Sequence, residues 1–154
     1  MSAILLFYQE EERQRLMQQA YAERLGMEDD MAKIRLGFAP TRRSIFSAPA
    51  AVEYADYTRE KLRKMGVDFV DIDDIAEDGL LHDESDRIRI EEKFKKEKVD
   101  GLFFPHGNFG TEYEVARLAK NLNLPVLLWG PRDECPDEKG IRLRDSQCGI
   151  FATE

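Results

Sequence analysis

The amino-acid sequence predicts an α/β fold, namely a Rossmann-like or flavodoxin-like three-layer sandwich on a parallel sheet of about four strands, with an additional N-terminal helix. Short apolar runs alternate with segments of helical periodicity, and the connections between them are short. A chain of 154 residues accommodates one such domain with a sizeable core, but not two comfortable ones. We therefore predict a helical extension over residues 1–30 and a Rossmann-like domain over residues 31–154.

The predicted N-terminal extension is rich in glutamine, glutamate and arginine between Gln9 and Leu25. Its apolar residues recur at helical spacing, and they are Leu16, Met17, Ala20, Tyr21 and Leu25. This pattern favours a surface helix packed on its own domain or on a sister subunit. The alternative is a helix that serves to bind a different partner.

The first strand–helix–strand unit follows this extension. The apolar run 34–39 predicts a strand that is stopped by Pro40, and a helix is expected to begin at Ser47-Ala48-Pro49 and to end at Gly66. The inner face of this helix is predicted to consist of Val52, Ala55, Leu62 and Met65. Residues 67–72 form the second predicted strand.

The second half of the domain repeats this alternation. A polar helix is predicted over residues 84–98, with Ile88 and Phe94 as core residues, and a third strand over 99–104. Thr111 and Glu114 match a capping box at the start of the next helix. The apolar stripe of that helix falls at i, i+3, i+4 and i+7, on Val115, Leu118, Ala119 and Leu122.

The fourth predicted strand, Val126–Trp129, ends at Gly130-Pro131, and a further helix is expected to begin at Asp145-Ser146. The chain stops within this helix, whereas an α/β unit normally returns a strand to the sheet. We therefore expect either a truncated piece of a larger protein or a small domain that ends on a docked helix.

Composition excludes several classes of partner and location. The net charge of -8 argues against nucleic acid as a partner, because phosphate binding needs a basic surface. No apolar run approaches the roughly 18 residues of a membrane helix, and the apolar opening 3–8 is too short for a signal peptide. Cys135 and Cys148 are interpreted as free thiols, with a disulfide as the minor alternative. We therefore expect a cytoplasmic protein that does not bind a membrane.

The sequence lacks several familiar catalytic and nucleotide-binding motifs. Residues 37–41 follow the first strand without a G-x-G-x-x-G fingerprint, and no G-x-x-x-x-G-K-[ST] loop occurs. Without that glycine loop, the acids that follow the second strand (Asp71, Asp73 and Asp74) are better interpreted as solvated turn residues. The two histidines and two cysteines lack metal-ligand spacing, and no nucleophile lies near a base in sequence. We therefore predict no catalytic or metal-binding residue and no cofactor in this chain.

Ligand-binding residues are expected where the strand order reverses, at the carboxyl ends of the strands. If the order is 2-1-3-4, the loops 40–44 and 105–110 face each other across this switch point. Arg42 and Arg43 offer donor forks there, and His106 and Asn108 offer further polar groups. The alternatives are a salt-bridged surface for the arginines and a bond to a loop carbonyl for His106.

Trp129, at the end of the fourth strand, has two interpretations as well. It is either a core or interface residue or a platform on which a sugar ring stacks. From the residues alone, the prediction stops at a small-molecule-binding α/β domain.

Four segments resemble the N-terminal domain of the L-fucose/L-arabinose isomerase superfamily, nearer to its fucose isomerase-like branch. Their order and spacing cover roughly residues 33–154. The segments are KIRLGFAPTRR (33–43), GVDFVDIDD (66–74), DGLFFPHGNFGTE (100–112) and PVLLWGPRD (125–133) with RLRDSQCG (142–149).

The resemblance implies a domain of an aldose–ketose isomerase that acts through an enediol and uses manganese or a similar divalent cation. The family's metal ligands come from later domains, to which no segment of this chain corresponds, and its first domain walls the active site of a neighbouring subunit. The resemblance therefore implies a sugar substrate and a homo-oligomer. The candidate substrate-facing residues are Arg42, Arg43, His106, Asn108, Phe109 and Trp129. The alternative is a stand-alone sugar- or protein-binding module without catalysis, and a nucleotide-binding module is the weakest possibility.

Overall fold

The computed structural model describes residues 34–153, so the predicted helix within residues 1–30 lies outside the described residues. The described part of the chain is an α/β domain in which strands and helices alternate. Its elements in chain order are β1 (Arg35–Phe38), α1 (Ala48–Lys64), β2 (Asp68–Val70), α2 (Glu84–Glu97), β3 (Gly101–Pro105), α3 (Glu112–Leu122), β4 (Val126–Trp129) and α4 (Ser146–Thr153). No helix in this part of the chain combines the length and apolar character needed to cross a membrane.

The four strands form one sheet in which every neighbouring pair is parallel, in the order β2-β1-β3-β4. Gly37 of β1 stands beside Val70 of β2 and Leu102 of β3. The predicted fold class is therefore confirmed, and the strand order is the one on which the predicted switch point depends. The order reverses between β1 and β3, so the loops that follow these two strands meet at one edge of the sheet.

Helix α1 begins as predicted, because Ser47 caps it and its hydroxyl oxygen accepts a hydrogen bond from the Ala50 amide at 3.3 Å. The prediction that Met65 lies in the core is wrong, because its side chain is 75% exposed. The inward stripe ends one turn earlier, at Leu62, and it includes the buried Arg59. Arg59 is stabilised there because it donates a hydrogen bond to Asp71 at 2.7 Å. A pattern of apolar residues alone does not predict a buried arginine.

Helix α2 contains a second misplaced core residue. Ile88 is 46% exposed, whereas Ile90 and Phe94 are buried. Residues four apart share one helix face, so Ile90 and Phe94 define the inner side and place Ile88 away from it. Phe94 packs beneath β1, where a Cβ on Gly37 would lie 2.7 Å from the Phe94 ring. The helix thus covers the sheet through a contact that needs a glycine.

Helix α3 begins after Thr111 as predicted, but the capping box is not formed, because the Thr111 side chain makes no capping hydrogen bond. Glu114 turns inward instead and accepts a hydrogen bond from Arg87 at 2.9 Å. Both side chains are less than a tenth exposed, and a buried guanidinium requires a counter-ion. Val115 and Leu118 are buried as the apolar stripe predicted.

Candidate functional site

The two loops at the switch point are joined through the backbone of Thr41. Its amide donates to the carbonyl of Pro105 at 2.9 Å, and its carbonyl accepts from the amide of Gly107 at 3.1 Å. Thr41 thereby forms a parallel bridge with His106. The loops that the strand order predicted to face each other are in direct contact.

Asn108 organises these loops, because every hydrogen-bonding atom of its buried side chain has a protein partner. Its Oδ1 accepts from the amides of Arg43, Phe109 and Gly110 at 2.8, 2.6 and 3.2 Å. Its Nδ2 donates to the carbonyls of Arg43 and Ser47 at 3.2 and 3.3 Å. A single amide therefore holds both loops and the start of α1.

The two candidate arginines are both ion-paired. Arg42 pairs with Asp78 and Arg43 with Glu112, so the guanidinium groups are held by the domain itself. Burial of Glu112 opposes its ionisation, but the hydrogen bond and charge of Arg43 bring its pKa below the usual value. The Arg43 side chain remains 32% exposed and lies over the Phe109 ring, 4.5 Å from its centroid. Arg43 and Phe109 thus contribute to the accessible surface of this region, together with Arg42, whose side chain is 21% exposed.

His106 is fully buried. Its Nδ1 lies 3.2 Å from the carbonyl oxygen of Phe104, and its Nε2 lies 3.1 Å from the hydroxyl of Thr153 in α4. Burial lowers the pKa of the imidazole, although the Phe104 carbonyl and the charge of Glu112 oppose that shift. The neutral form is therefore favoured, and the ring connects the switch point to α4.

The region around His106 is packed without spare room. Gly110 has a φ of +86°, and a Cβ there would lie 2.2 Å from the His106 ring. A Cβ on Gly149 of α4 would lie 1.7 Å from the Phe109 carbonyl oxygen. Helix α4 is thus docked directly on the loop after β3. We call Arg42, Arg43, His106 and Asn108 together the switch-point network.

A second region at the same edge of the sheet is open. A cavity of about 390 Å³ lies between α1 and the end of β4, within the range of small-molecule pockets. It is lined by Glu53, Tyr54, Tyr57, Trp129, Pro131 and Arg132, and we call it the aromatic cavity. Trp129 is 36% exposed, and its ring centroid lies 6.2 Å from that of Phe103 in the neighbouring strand.

One wall of the aromatic cavity is fixed from behind by a buried arginine. Arg144 is 1% exposed, and its guanidinium carbon lies 3.6 Å from the centroid of the Tyr54 ring. The guanidinium donates to the carboxylate of Glu134 at 3.0 Å and to the carbonyl of Arg132 at 2.8 Å. The loop after β4 and the Tyr54 ring are therefore held together by one side chain.

The structure thus separates the sequence-predicted residues into two groups. Arg42, Arg43, His106, Asn108 and Phe109 lie together at the switch point, and Trp129 lines the aromatic cavity. The backbone links the groups, because the His106 amide donates to the Trp129 carbonyl at 2.8 Å. Sequence reasoning missed the other cavity residues, although the spacing of Tyr54 and Tyr57 by three residues places both on one side of α1.

The divalent cation that the resemblance implies would need several oxygen or nitrogen ligands close together. Within residues 34–153, no three histidine, cysteine, aspartate or glutamate side chains converge in a way that would hold an ion. The donor set of these described residues therefore does not fit a metal centre, and no chemical step is assigned to one here.

The strand order and the alternation of strands and helices define a Rossmann-like α/β domain, a class in which ligands commonly bind at the carboxyl ends of the strands. A family model described as "Fucose/sulfoquinovose isomerase, N-terminal domain" matches residues 37–153. The chain belongs to this family, which confirms the fucose isomerase-like resemblance. No curated protein and no solved structure matches the chain significantly.

Proposed function

We propose that this chain acts as the N-terminal domain of a metal-dependent aldose–ketose isomerase in carbohydrate metabolism, to which it contributes substrate-facing loops and oligomer contacts. The observation that carries the proposal is the family match, because it spans both the switch-point network and the aromatic cavity. The fold supports it, since α/β domains bind ligands at this edge of the sheet.

The six candidate residues divide into two roles within this proposal. Arg43, Phe109 and Trp129 have accessible surface and face the sugar, and Arg42 stands beside them in an ion pair with Asp78. Asn108 and His106 are fully buried, so they hold the loops in place rather than contact substrate. Manganese or a similar cation would polarise the sugar oxygens, and we propose that it is held by residues outside this domain.

We propose that a second copy of the chain contacts β4, the outermost strand on one side of the sheet. Val126 and Leu127 of the edge strand β4 are 44% and 56% exposed, and unpaired strand edges favour association. The docked helix α4 is the feature that favours the alternative, a stand-alone sugar- or protein-binding module. The two observations therefore point in different directions, and an activity measurement decides between them.

The experiment is an aldose–ketose conversion assay on the gene product that contains this chain. It is supplied with Mn²⁺ and tested on L-fucose, L-arabinose and sulfoquinovose, with ketose formation followed by NMR. We expect conversion of at least one sugar and its loss on chelation of the metal. Absence of conversion for all three sugars, with binding of one of them, would establish the stand-alone module instead.

Arg43→Ala tests the substrate-facing role in the same assay. We expect a higher KM, because the substitution removes the accessible guanidinium at the switch point. Arg35→Ala is the matched control. Arg35 is also ion-paired, with Asp68 at 2.9 Å, but it lies at the amino end of β1, away from the switch point. Equal KM values for the two variants would show that Arg43 does not contact the substrate and is an ordinary ion-paired surface residue.

A further inference from the structure

We propose that the aromatic cavity binds the ring of a neutral monosaccharide, which stacks on Tyr57 and Trp129 while its hydroxyls bond Glu53 and Arg132. This inference rests on the proposed function and deepens it, because it adds Tyr57, Glu53 and Arg132 to the residues proposed to face the sugar beside Trp129. Apart from Trp129, none of these residues was singled out by the sequence pattern.

The first support is that two charged side chains that line the cavity have no ion-pair partner among the described residues. Within residues 34–153, neither Glu53 nor the side chain of Arg132 forms an ion pair; only the backbone carbonyl of Arg132 accepts a bond, from Arg144. Glu53 supplies hydrogen-bond acceptors and Arg132 supplies donors. A sugar hydroxyl can therefore donate to Glu53 and accept from Arg132. By contrast, the guanidinium groups of Arg42 and Arg43 are already paired.

The second support is the composition of the cavity wall. Tyr54, Tyr57 and Trp129 present ring surface, and only a few polar groups surround it. Small-molecule sites have this composition, in which apolar and aromatic faces supply contact area and a few polar groups orient the ligand. The apolar C–H face of a sugar ring fits such a surface, while its hydroxyls reach the polar rim.

The third support favours a neutral ligand over a cationic one, which aromatic pockets with a carboxylate also bind. The Tyr54 ring already faces the Arg144 guanidinium, and the Tyr57 ring lies 5.2 Å from the ammonium of Lys61. Arg132 adds a third positive charge at the rim. A further cation would find both tyrosine rings already facing cations and would have the Glu53 carboxylate as its attractive partner, whereas a neutral ligand meets no such repulsion.

The wall is also built before a ligand arrives. Arg144 is held by Glu134 and by the Arg132 carbonyl, and it fixes the Tyr54 ring from behind. The Trp129 backbone is fixed by the His106 amide. A preformed site loses less side-chain freedom on binding than one that must be ordered, so a small ligand suffices to occupy it.

The test uses the only tryptophan of the chain, Trp129, as a reporter inside the cavity. We expect L-fucose to change its emission saturably and Tyr57→Ala to raise the Kd about tenfold. Tyr57 is 53% exposed, so the variant is expected to fold. Tyr113→Ala is the matched control, because Tyr113 is 58% exposed and also lies under a cation, Arg117, but on α3; it should leave the Kd unchanged.

Glu53→Ala and Arg132→Ala should each weaken L-fucose binding severalfold as well. An emission change that all three cavity variants leave intact would overturn the proposed site. A response to tetramethylammonium in place of L-fucose would overturn the proposed ligand class. If the gene product converts sugar but Trp129 emission does not change, the proposed cavity site is wrong and the proposed isomerase function stands. If L-fucose changes Trp129 emission but no sugar is converted, the isomerase function is wrong and the cavity site stands.

Discussion

The switch-point network and the aromatic cavity lie at the same edge of one sheet, and they differ in how their polar groups are used. In the network, the Asn108 amide has a protein partner at every polar atom, and Arg42 and Arg43 are ion-paired. In the cavity, Glu53 and the Arg132 side chain form no ion pair with the described residues. Groups that are satisfied internally stabilise a fold, whereas accessible unsatisfied groups are available to a ligand.

The comparison changes how a polar cluster at a switch point is interpreted. The residue types after β1 and β3 are those that commonly bind ligands, yet two of them, His106 and Asn108, are fully buried. His106 and Asn108 therefore act as a buried support, which holds the Arg43 and Phe109 backbone through Asn108 and the Trp129 backbone through His106. Three substitutions and one titration test this division of roles.

The largest expected effect is at Arg144, which supports one wall of the aromatic cavity. Arg144→Met should lower the free energy of unfolding by about 3–5 kcal/mol, because it leaves the buried carboxylate of Asp133 without its neighbouring charge. Urea unfolding followed by circular dichroism measures this loss. Arg117→Met is the matched control, since Arg117 also lies over a tyrosine and pairs with a glutamate, but at the surface. The control should lose less than about 1 kcal/mol; similar losses in the two variants would contradict a structural role for the burial of Arg144.

The next effect concerns the switch-point network. Asn108→Ala should lower the free energy of unfolding by about 2–3 kcal/mol, because buried loop amides and carbonyls lose their partner. Asn121→Ala removes an exposed asparagine whose side chain donates to Glu91, and it should cost only about 0.5 kcal/mol or less. If the Asn108 variant were as stable as the control, Asn108 would not act as a buried support of these loops.

The smallest expected effect is the pH dependence that comes from His106. Since burial lowers its pKa from the usual 6.5, the unfolded chain binds the proton more readily than the folded chain. The stability that the neutral ring contributes is therefore complete above about pH 6.5 and falls as the pH decreases towards the folded-state pKa. His106→Gln should remove this part of the slope in urea midpoints measured against pH.

The unsubstituted chain is the reference for this titration. A slope that persists unchanged in His106→Gln would show that the switch point does not depend on a neutral, buried imidazole. Losses at still lower pH arise separately, from carboxylates such as Glu112 whose pKa is below the usual value.

Much of the fold was predictable because it follows from local patterns. The bounds of β4 and the cap at Ser47 agree with the sequence prediction. Two of the differences from the prediction involve a charged side chain that tertiary contacts bury. Arg59 lies in the inner face assigned to apolar residues, and Arg87 draws Glu114 out of the predicted capping box. Periodicity of apolar residues carries no information about buried ion pairs.

The candidate site was predictable only in its location. Strand order places loops 40–44 and 105–110 together, but residue types do not reveal that Arg42 and Arg43 are paired within the domain. Arg144 belongs to a charged segment that reads as a solvated loop, yet it is 1% exposed and supports Tyr54. The aromatic cavity depends on contacts between α1 and the loop after β4, which lie far apart in sequence.

The most direct test of the division between buried support and ligand surface is an amide chemical-shift titration of the chain with L-fucose. We expect the largest shifts at Glu53, Tyr57 and Trp129, where the cavity groups are free, and the smallest at His106 and Asn108, which are buried and bonded. Shifts concentrated at His106 and Asn108, with the cavity amides unchanged, would contradict the account.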